Sequence, residues 1–505
     1  MVVVDRVETP PATVRRAGFD PLHVIAALAA ALAIWASVKP LDDFDSFFHI
    51  QLGGQILHQH QLTGQSAWWL AVDPPSGWVT SQWLAEVIMN VVVTDFGWHA
   101  LLALQVLTTL AVAASLAATL LVGRPMPVAL PIFLLALSNV AGALLLRPQT
   151  AGLFFLVWLG AGCVRLWTSG RRPPVVLIAL ATLVWAQLHG TWILAPVAFL
   201  LVAVGVQLDA GRRPAPQLRA TLICLLASLA GVLNPQGLMS FVLPLRFDRA
   251  SSTITEWLPT TISSGFTLVW AVVVLITVVV WARSGEPVPR VEVLWVLSWT
   301  AFGMLSYRNV TPALLMTAPV AVLALTRWYD QRRVRNPSPD QSNQPAPGEA
   351  APVVGSRRRE SLVLGLFAAV LVVGATIGAL SRIPRVDTFA DVPGARIAAW
   401  VAEQPGPVRV FNDWNASGAL IGLSDGKARL VIDNRMDLWG DDYATRIMKT
   451  ETMAPGWERT LADFHPDAVV TARSSALISG LTKDGWRLAL TDRDLVLLLP
   501  VPDTP

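Results

Sequence analysis

The sequence predicts a polytopic α-helical membrane protein of about eleven transmembrane helices with a C-terminal extracytoplasmic α/β domain, and three observations carry that expectation. Hydrophobic residues make up 53% of the 505 and charged ones only 14%, against roughly 25% charged in ordinary soluble domains, and the mean hydropathy is +0.52. Long apolar runs recur, with arginines gathered in alternate connections, as in cytoplasmic loops. Beyond residue 385 the composition turns to that of a soluble domain. The net charge of +3 is spread over short loops, which signals orientation, and no nucleic-acid partner is expected. Cys163 and Cys224 both fall in apolar runs, which excludes a disulfide framework and a Cys/His zinc site. The chain has no Walker loop and no Gly-x-Gly-x-x-Gly after a strand, so a nucleotide-driven pump lacks its phosphate cradle. Energy for any reaction would come from an activated substrate.

Taken in order, residues 1–22 are polar, carry Arg6, Arg15 and Arg16, and read as a cytoplasmic N-terminal segment. An apolar run over 22–38 is the first span, and a transmembrane core occupies 23–335. The loop over 39–98 is then extracytoplasmic, with an acidic first half and a second half holding Trp68, Trp69, Trp78, Trp83 and Trp98, the ring preferred at headgroup depth. The stretch 84–96 is apolar but contains Glu86 and Asp95 and is short for a core of about 30 Å, so it reads as a surface helix. Further spans follow at about 99–122, 126–145, 150–167, 174–188, 191–208, 220–233, 266–283, 292–305, 311–326 and 361–381. With this count Arg124, Arg165, Arg171, Arg172, Arg212, Arg213, Arg219, Arg283, Arg290, Arg327, Arg332 and Arg333 all face one side, the cytoplasm. Residues 336–360 are a cytoplasmic linker rich in Pro, Ser, Asn and Gln, 361–381 is the last span, and 385–505 is the outer domain. The chain is therefore expected in the plasma membrane, multi-pass, in contact with membrane lipids.

The chemistry is expected in the stretch Asp42-Asp43-Phe44-Asp45-Ser46-Phe47-Phe48-His49, just after the first span. Carboxylates beside hydrocarbon must be hydrated, bound to a cation or used in chemistry. Asp43 and Asp45 have the spacing to share a divalent ion, Mg or Mn, or to let one activate a nucleophile that the other orients. Asp45 also precedes an amphipathic run, so it reads equally well as a helix N-cap. On the same outer side lie Arg147-Pro148-Gln149, the run from Trp185 to Gly190 with His189, Asn234-Pro235-Gln236-Gly237, Glu256-Trp257 and Tyr307-Arg308-Asn309. Singly these read as turn or packing residues, Asn234-Pro235 above all, but their shared side argues for function. Arg147 and Arg308 are natural partners for a phosphate or diphosphate, to whose oxygens guanidinium presents a planar fork.

In the outer domain short apolar strands at 408–411, 430–432, 468–470 and 495–499 alternate with amphipathic helices such as 395–401 and 457–464, an α/β pattern. Asn412, Asp413 and Trp414 follow the first strand, and Asp433, Arg435 and Asp437 follow the second. Strand C-terminal ends bind ligands in open α/β sheets, and these residue types suit an acceptor carbohydrate. They suit turns and caps as well.

Asp43-x-Asp45 with Phe47, Phe48, His49 and Gly53, then Trp78, Gln82, Trp83 and Glu86, the run Trp185 to Gly190, Asn234-Pro235, Glu256-Trp257 and Arg308-Asn309 resemble a group of bacterial membrane proteins. More broadly, the chain resembles the GT-C superfamily of polytopic glycosyltransferases, which includes protein O-mannosyltransferases, aminoarabinose transferases and oligosaccharyltransferases. The resemblance runs over nearly the whole chain. It implies Asp43 or Asp45 as base or metal ligand and a polyprenyl-phosphate-linked sugar as donor. His49, Arg147, His189, Glu256, Arg308 and Asn309 would then bind substrate or phosphate, and Trp78, Gln82, Trp83 and Glu86 would support the loop. An envelope glycan, lipid or protein would be the acceptor. No full sequon-binding or mannosyltransferase signature is present, which leaves sugar and acceptor open. Two other classes are a lipid or sugar transporter, which would place charges at the bilayer midplane and often repeat internally, and a non-catalytic envelope scaffold, which would tolerate loss of the loop aspartates.

Overall fold

The computed structural model describes residues 19–41, 43–62, 67–74, 78–246, 255–335 and 354–501. The expectations for residues 1–18, for Asp42 and for 336–353 of the linker lie outside the described residues. Helix α1 (Pro21–Ala36) begins at Asp20, whose carboxylate accepts from the amides of Leu22 and His23. In the first loop α2 (Asp45–Gln59) packs on α3 (Trp83–Phe96). A Cβ on Gly53 would stand 2.1 Å from the Glu86 carbonyl oxygen, so this approach of two backbones requires glycine.

The bundle continues with α4 (Trp98–Leu120), α5 (Met126–Ala143), α6 (Gln149–Ser169), α7 (Val175–Leu188), α8 (Leu194–Ala210) and α9 (Leu218–Ser228). Next come α10 (Met239–Arg246), α11 (Gly265–Ser284), α12 (Arg290–Leu305), α13 (Val310–Arg335) and α14 (Val354–Arg382). Among the described residues seven stretches, centred on α4, α5, α6, α8, α11, α13 and α14, are long and apolar enough to cross a membrane, and three shorter apolar helices span Pro21–Ala36, Val175–Leu188 and Leu218–Val232. The chain is a polytopic α-helical membrane protein. Helix α13 is its axis, 83% buried along its apolar stretch, whereas that of α14 is 11% buried and packs chiefly on α1, with a smaller contact on α4.

At one end of the bundle the α12 N-terminus is held by Asp209, whose carboxylate accepts from the Arg290 and Val291 amides, and Arg327 pairs with Glu292 at 2.5 Å. At the other end lie Arg147, His189, Asn234, Glu256 and Arg308, together with the first loop.

After α14 come α15 (Ala395–Glu403), β1 (Val408–Asn412), α16 (Trp414–Leu423), β2 (Ala428–Leu430), α17 (Met436–Glu451) and α18 (Trp457–Phe464). The chain then runs through β3 (Ala468–Ala472), α19 (Leu477–Lys483), β4 (Trp486–Asp492) and β5 (Leu495–Pro500). The five strands form one sheet in the order β2-β1-β3-β5-β4, parallel from β2 to β3 and antiparallel beyond. Strand β4 adds to the expected set; as an edge strand it is half exposed and lacks a continuous apolar run.

This unit is not packed apart from the rest. Leu70 of the first loop lies parallel beside Leu430, with the Ala71 amide on the Leu430 carbonyl and the Leu430 amide on the Trp69 carbonyl, both at 2.7 Å. The loop thus lengthens the sheet at its β2 edge. One continuous apolar core joins Phe47, Phe48, Leu52 and Trp69 of the loop to Val410, Leu420, Ala468 and Leu497 of the sheet unit.

Candidate functional site

The centre of the end that carries the first loop is the turn Leu144–Pro148 between α5 and α6. Its three carbonyls before Arg147 each have a dedicated side-chain donor: Gln105 of α4 on Leu144, Thr150 of α6 on Leu145 and Ser46 of α2 on Leu146. A turn with its carbonyls tied to three helices has little freedom. The Arg147 side chain that it projects is only 12% exposed.

That guanidinium meets the first loop. Arg147 Nε donates to Asp43 Oδ2 at 2.5 Å, Nη1 lies 2.8 Å from Asp45 Oδ2, and the same Nη1 lies 3.4 Å from Glu256 Oε1. The other oxygens of the two aspartates are also held, Asp43 Oδ1 by the Asp45 amide at 3.1 Å and Asp45 Oδ1 by Asn434 Nδ2 at 2.5 Å. The capping reading of Asp45 is corrected here: the N-cap position of α2 is Phe44, without a side-chain cap, and the carboxylate that takes a first-turn amide is that of Asp43. Asp45 is left facing Arg147. Burial raises its pKa above the ordinary carboxylate value and Asp43 adds to that, partly offset by Arg147. Arg147 shifts the other way from a buried cation, since Asp43 and Asp45 outweigh its desolvation and push its pKa up.

One helical turn along α2, buried His49 places Nδ1 3.1 Å from Glu86 Oε1 of α3, and Thr80 Oγ1 donates to Glu86 Oε2 at 2.9 Å. Gln82 stands 3.4 Å from the same ring nitrogen, and Trp83 donates to Gln187 at 2.9 Å. Glu86, Gln82 and Trp83 thus fasten α3 to α2 and α7, and Gln236 fastens the loop through the Val79 carbonyl at 2.9 Å. His49 was expected on substrate, and its nearest partner in the fold is Glu86. His189, between α7 and the 3-10 turn Gly190–Ile193, shares Nδ1 with Thr191 Oγ1 at 2.9 Å. Burial, with Arg308 and His49 nearby, lowers its pKa to about 3, so it is neutral at physiological pH.

Arg308 is exposed, lies over the Trp257 ring at 4.9 Å, and is within electrostatic range of Glu256, Arg147 and Asp45. Among the described residues it makes no ion pair. The Asn309 amide is committed to the Phe302 carbonyl at 3.1 Å, and Asn234 accepts from the Gln236 and Gly237 amides as a turn residue.

Most of the expected acceptor residues of the sheet unit have partners within the fold. Asn412, with no exposed surface, ties the ends of β1 and β2 through the Ile432 carbonyl and the Val431 amide. Asp413 caps α16 through the Asn415 amide at 2.8 Å, and Trp414 packs into the core against α17 and α18. Asp433 and Arg435, 0% and 2% exposed, form a buried pair at 2.6 Å; Trp69 and Trp439 also donate to Asp433, and Arg435 stacks over Trp69 and Trp78. Burial alone would raise the Asp433 pKa, but Arg435 and the two indoles outweigh it and hold the carboxyl below its usual range. They fasten the loop to the sheet. The Asp437 side chain lies outside the described residues.

Sequence reasoning missed Asn434, whose carbonyl side is held by the Ser417 hydroxyl and whose amide reaches Asp45 from 389 positions away. No local pattern marks it. The divalent ion expected at Asp43 and Asp45 would need oxygens that already accept from nitrogen donors, two of them from one fixed cation. As folded, this donor set does not fit a divalent metal.

No family model matches the sequence, and neither does any curated protein. Solved structures do match the fold. The oligosaccharyltransferase of Archaeoglobus fulgidus, tethered with an acceptor peptide containing the NVT sequon, aligns with a TM-score of 0.50 and 11% identity over 89% of this chain and 69% of that one. The same enzyme in complex with Zn and sulfate gives 0.51 and 12% over 89% and 68%. ArnT from Cupriavidus metallidurans bound to undecaprenyl phosphate gives 0.43 and 14% over 95% and 98%. The chain shares its fold with these oligosaccharyltransferase structures.

Proposed function

We propose that this chain is a membrane glycosyltransferase that takes a sugar from a polyprenyl-phosphate-linked donor and passes it to an extracytoplasmic envelope acceptor. The observation that carries this reading is the outer-end cluster itself, in which a half-buried Asp45 with a raised pKa and an exposed Arg308, stacked on Trp257 and without an ion pair among the described residues, lie within electrostatic range of each other. A lipid-linked sugar phosphate brings its own leaving group, so the protein has only to deprotonate an acceptor and hold a departing phosphate. Asp45 takes the proton of the acceptor hydroxyl or amine as that atom attacks the anomeric carbon. The bond from that carbon to the phosphate oxygen breaks, and the lipid phosphate leaves onto Arg308. Arg147 holds both aspartates in place, and the neutral His189 can donate one hydrogen bond to the phosphate without adding charge.

In this reading eleven spans cross the bilayer: the seven long helices, the three shorter apolar ones and α12. The basic end faces the cytoplasm, α2 and α3 lie at the outer surface, and the sheet unit stands outside over the donor site. Lipid analysis of a deletion strain tests the function. A polyprenyl-phosphate-linked sugar should accumulate while one glycosyl group disappears from the envelope, and unchanged lipid and glycan profiles would refute it.

A further inference from the structure

We infer that Arg147 occupies the place of a divalent cation in this site, so that the chain carries its positive charge covalently and needs no metal ion for transfer. Three facts of the geometry converge on this. First, Arg147 bridges Asp43 and Asp45 through two nitrogens of one planar group, the bridging that an Asp-x-Asp pair otherwise gives a metal, and the third carboxylate, Glu256, approaches the same Nη1 at 3.4 Å. Second, the cation is installed rather than attracted. The Leu144, Leu145 and Leu146 carbonyls are tied to α4, α6 and α2, and the Phe44 ring lies 5.9 Å from the guanidinium carbon. Third, the outward oxygens of the pair are spent on the Asp45 amide and on Asn434, so a metal could bind only by displacing these donors beside a charge that cannot be deprotonated.

The assignment deepens the transferase reading and rests on it for its catalytic meaning, but ion binding can be read without any sugar donor, so the two fail separately. The probe is Mn²⁺ alone, its free signal followed by electron paramagnetic resonance with the full chain in lipid nanodiscs. Wild type and Asp43→Asn should take up the same amount. Arg147→Ala, which frees the carboxylates, should take up about one further ion per chain, and Arg147→Ala with Asp43→Asn should lose it. Wild-type uptake exceeding that of Asp43→Asn would overturn the assignment, and this comparison stands even if Arg147→Ala fails to fold. A folded Arg147→Ala with no added ion would overturn it too.

Discussion

At the scale of single residues, the site separates two arginines that the sequence presents alike. Arg147 is surrounded by carboxylates, whereas Arg308 is exposed and lies over the Trp257 ring. In the proposed mechanism Arg308 is the phosphate ligand, and Arg308→Lys, which keeps the charge but loses the fork, should weaken polyprenyl-phosphate binding by about tenfold or more. Titration of the purified variant with that lipid checks it, and unchanged affinity would remove Arg308 from the phosphate site. A second residue is readable only in the fold. Burial, and then Asp413 beside it, raises the pKa of Glu451 to about 8, and its Oε1 has no hydrogen-bond partner. The folded state binds this proton more tightly than the unfolded chain, whose value is about 4.3. The stabilisation is thus complete below that value and is lost as pH rises through about 8. The wild-type thermal midpoint should fall between pH 7 and pH 9, and Glu451→Gln should flatten that fall; parallel melting curves for the two proteins would show that Glu451 is not the cause.

At the scale of elements, the placement of Asp45 depends on how α16 docks on α2. A Cβ on Gly418 would stand 2.0 Å from the Phe44 carbonyl oxygen, so Gly418→Ala must push the two helices apart. That shift would draw Asn434 and Ser417 away from Asp45. Gly418→Ala should therefore impair complementation of a deletion strain while membrane insertion persists, and Asn434→Ala should do so with a smaller change in melting temperature. Full activity in both variants would detach the sheet unit from the site. Much at this level was legible beforehand. The helix α18 over Trp457–Phe464 and the starts of β1 and β3 follow from local periodicity, and Arg147 and Glu256 were placed on the loop's side by the alternation of basic connections. The strand-like pairing of Leu70 with Leu430, and the burial of Asp433 with Arg435 beneath Trp69, were not. These are contacts between segments more than 300 positions apart, which leave no periodic trace in either one.

At the scale of the whole molecule, the bundle carries a half-buried acid–guanidinium cluster beside a sheet unit that shares its apolar core with the first loop. Cysteine labelling with a membrane-impermeant reagent in intact cells tests the proposed orientation at two exposed sites, since Cys163 and Cys224 are buried. Glu403→Cys should react and Glu286→Cys should not; the opposite pattern would invert the topology and move the site to the cytoplasm. The central claim, that the loop aspartate facing Arg147 is the catalytic base, is tested most directly by Asp45→Asn in the deletion strain. The amide keeps the shape and can still accept from Arg147, so the protein should fold, insert and accumulate as the wild type does. Transfer should fall by about two or more orders of magnitude, the scale expected when a general base is removed, with the lipid-linked donor building up. Wild-type transfer by Asp45→Asn would contradict the account.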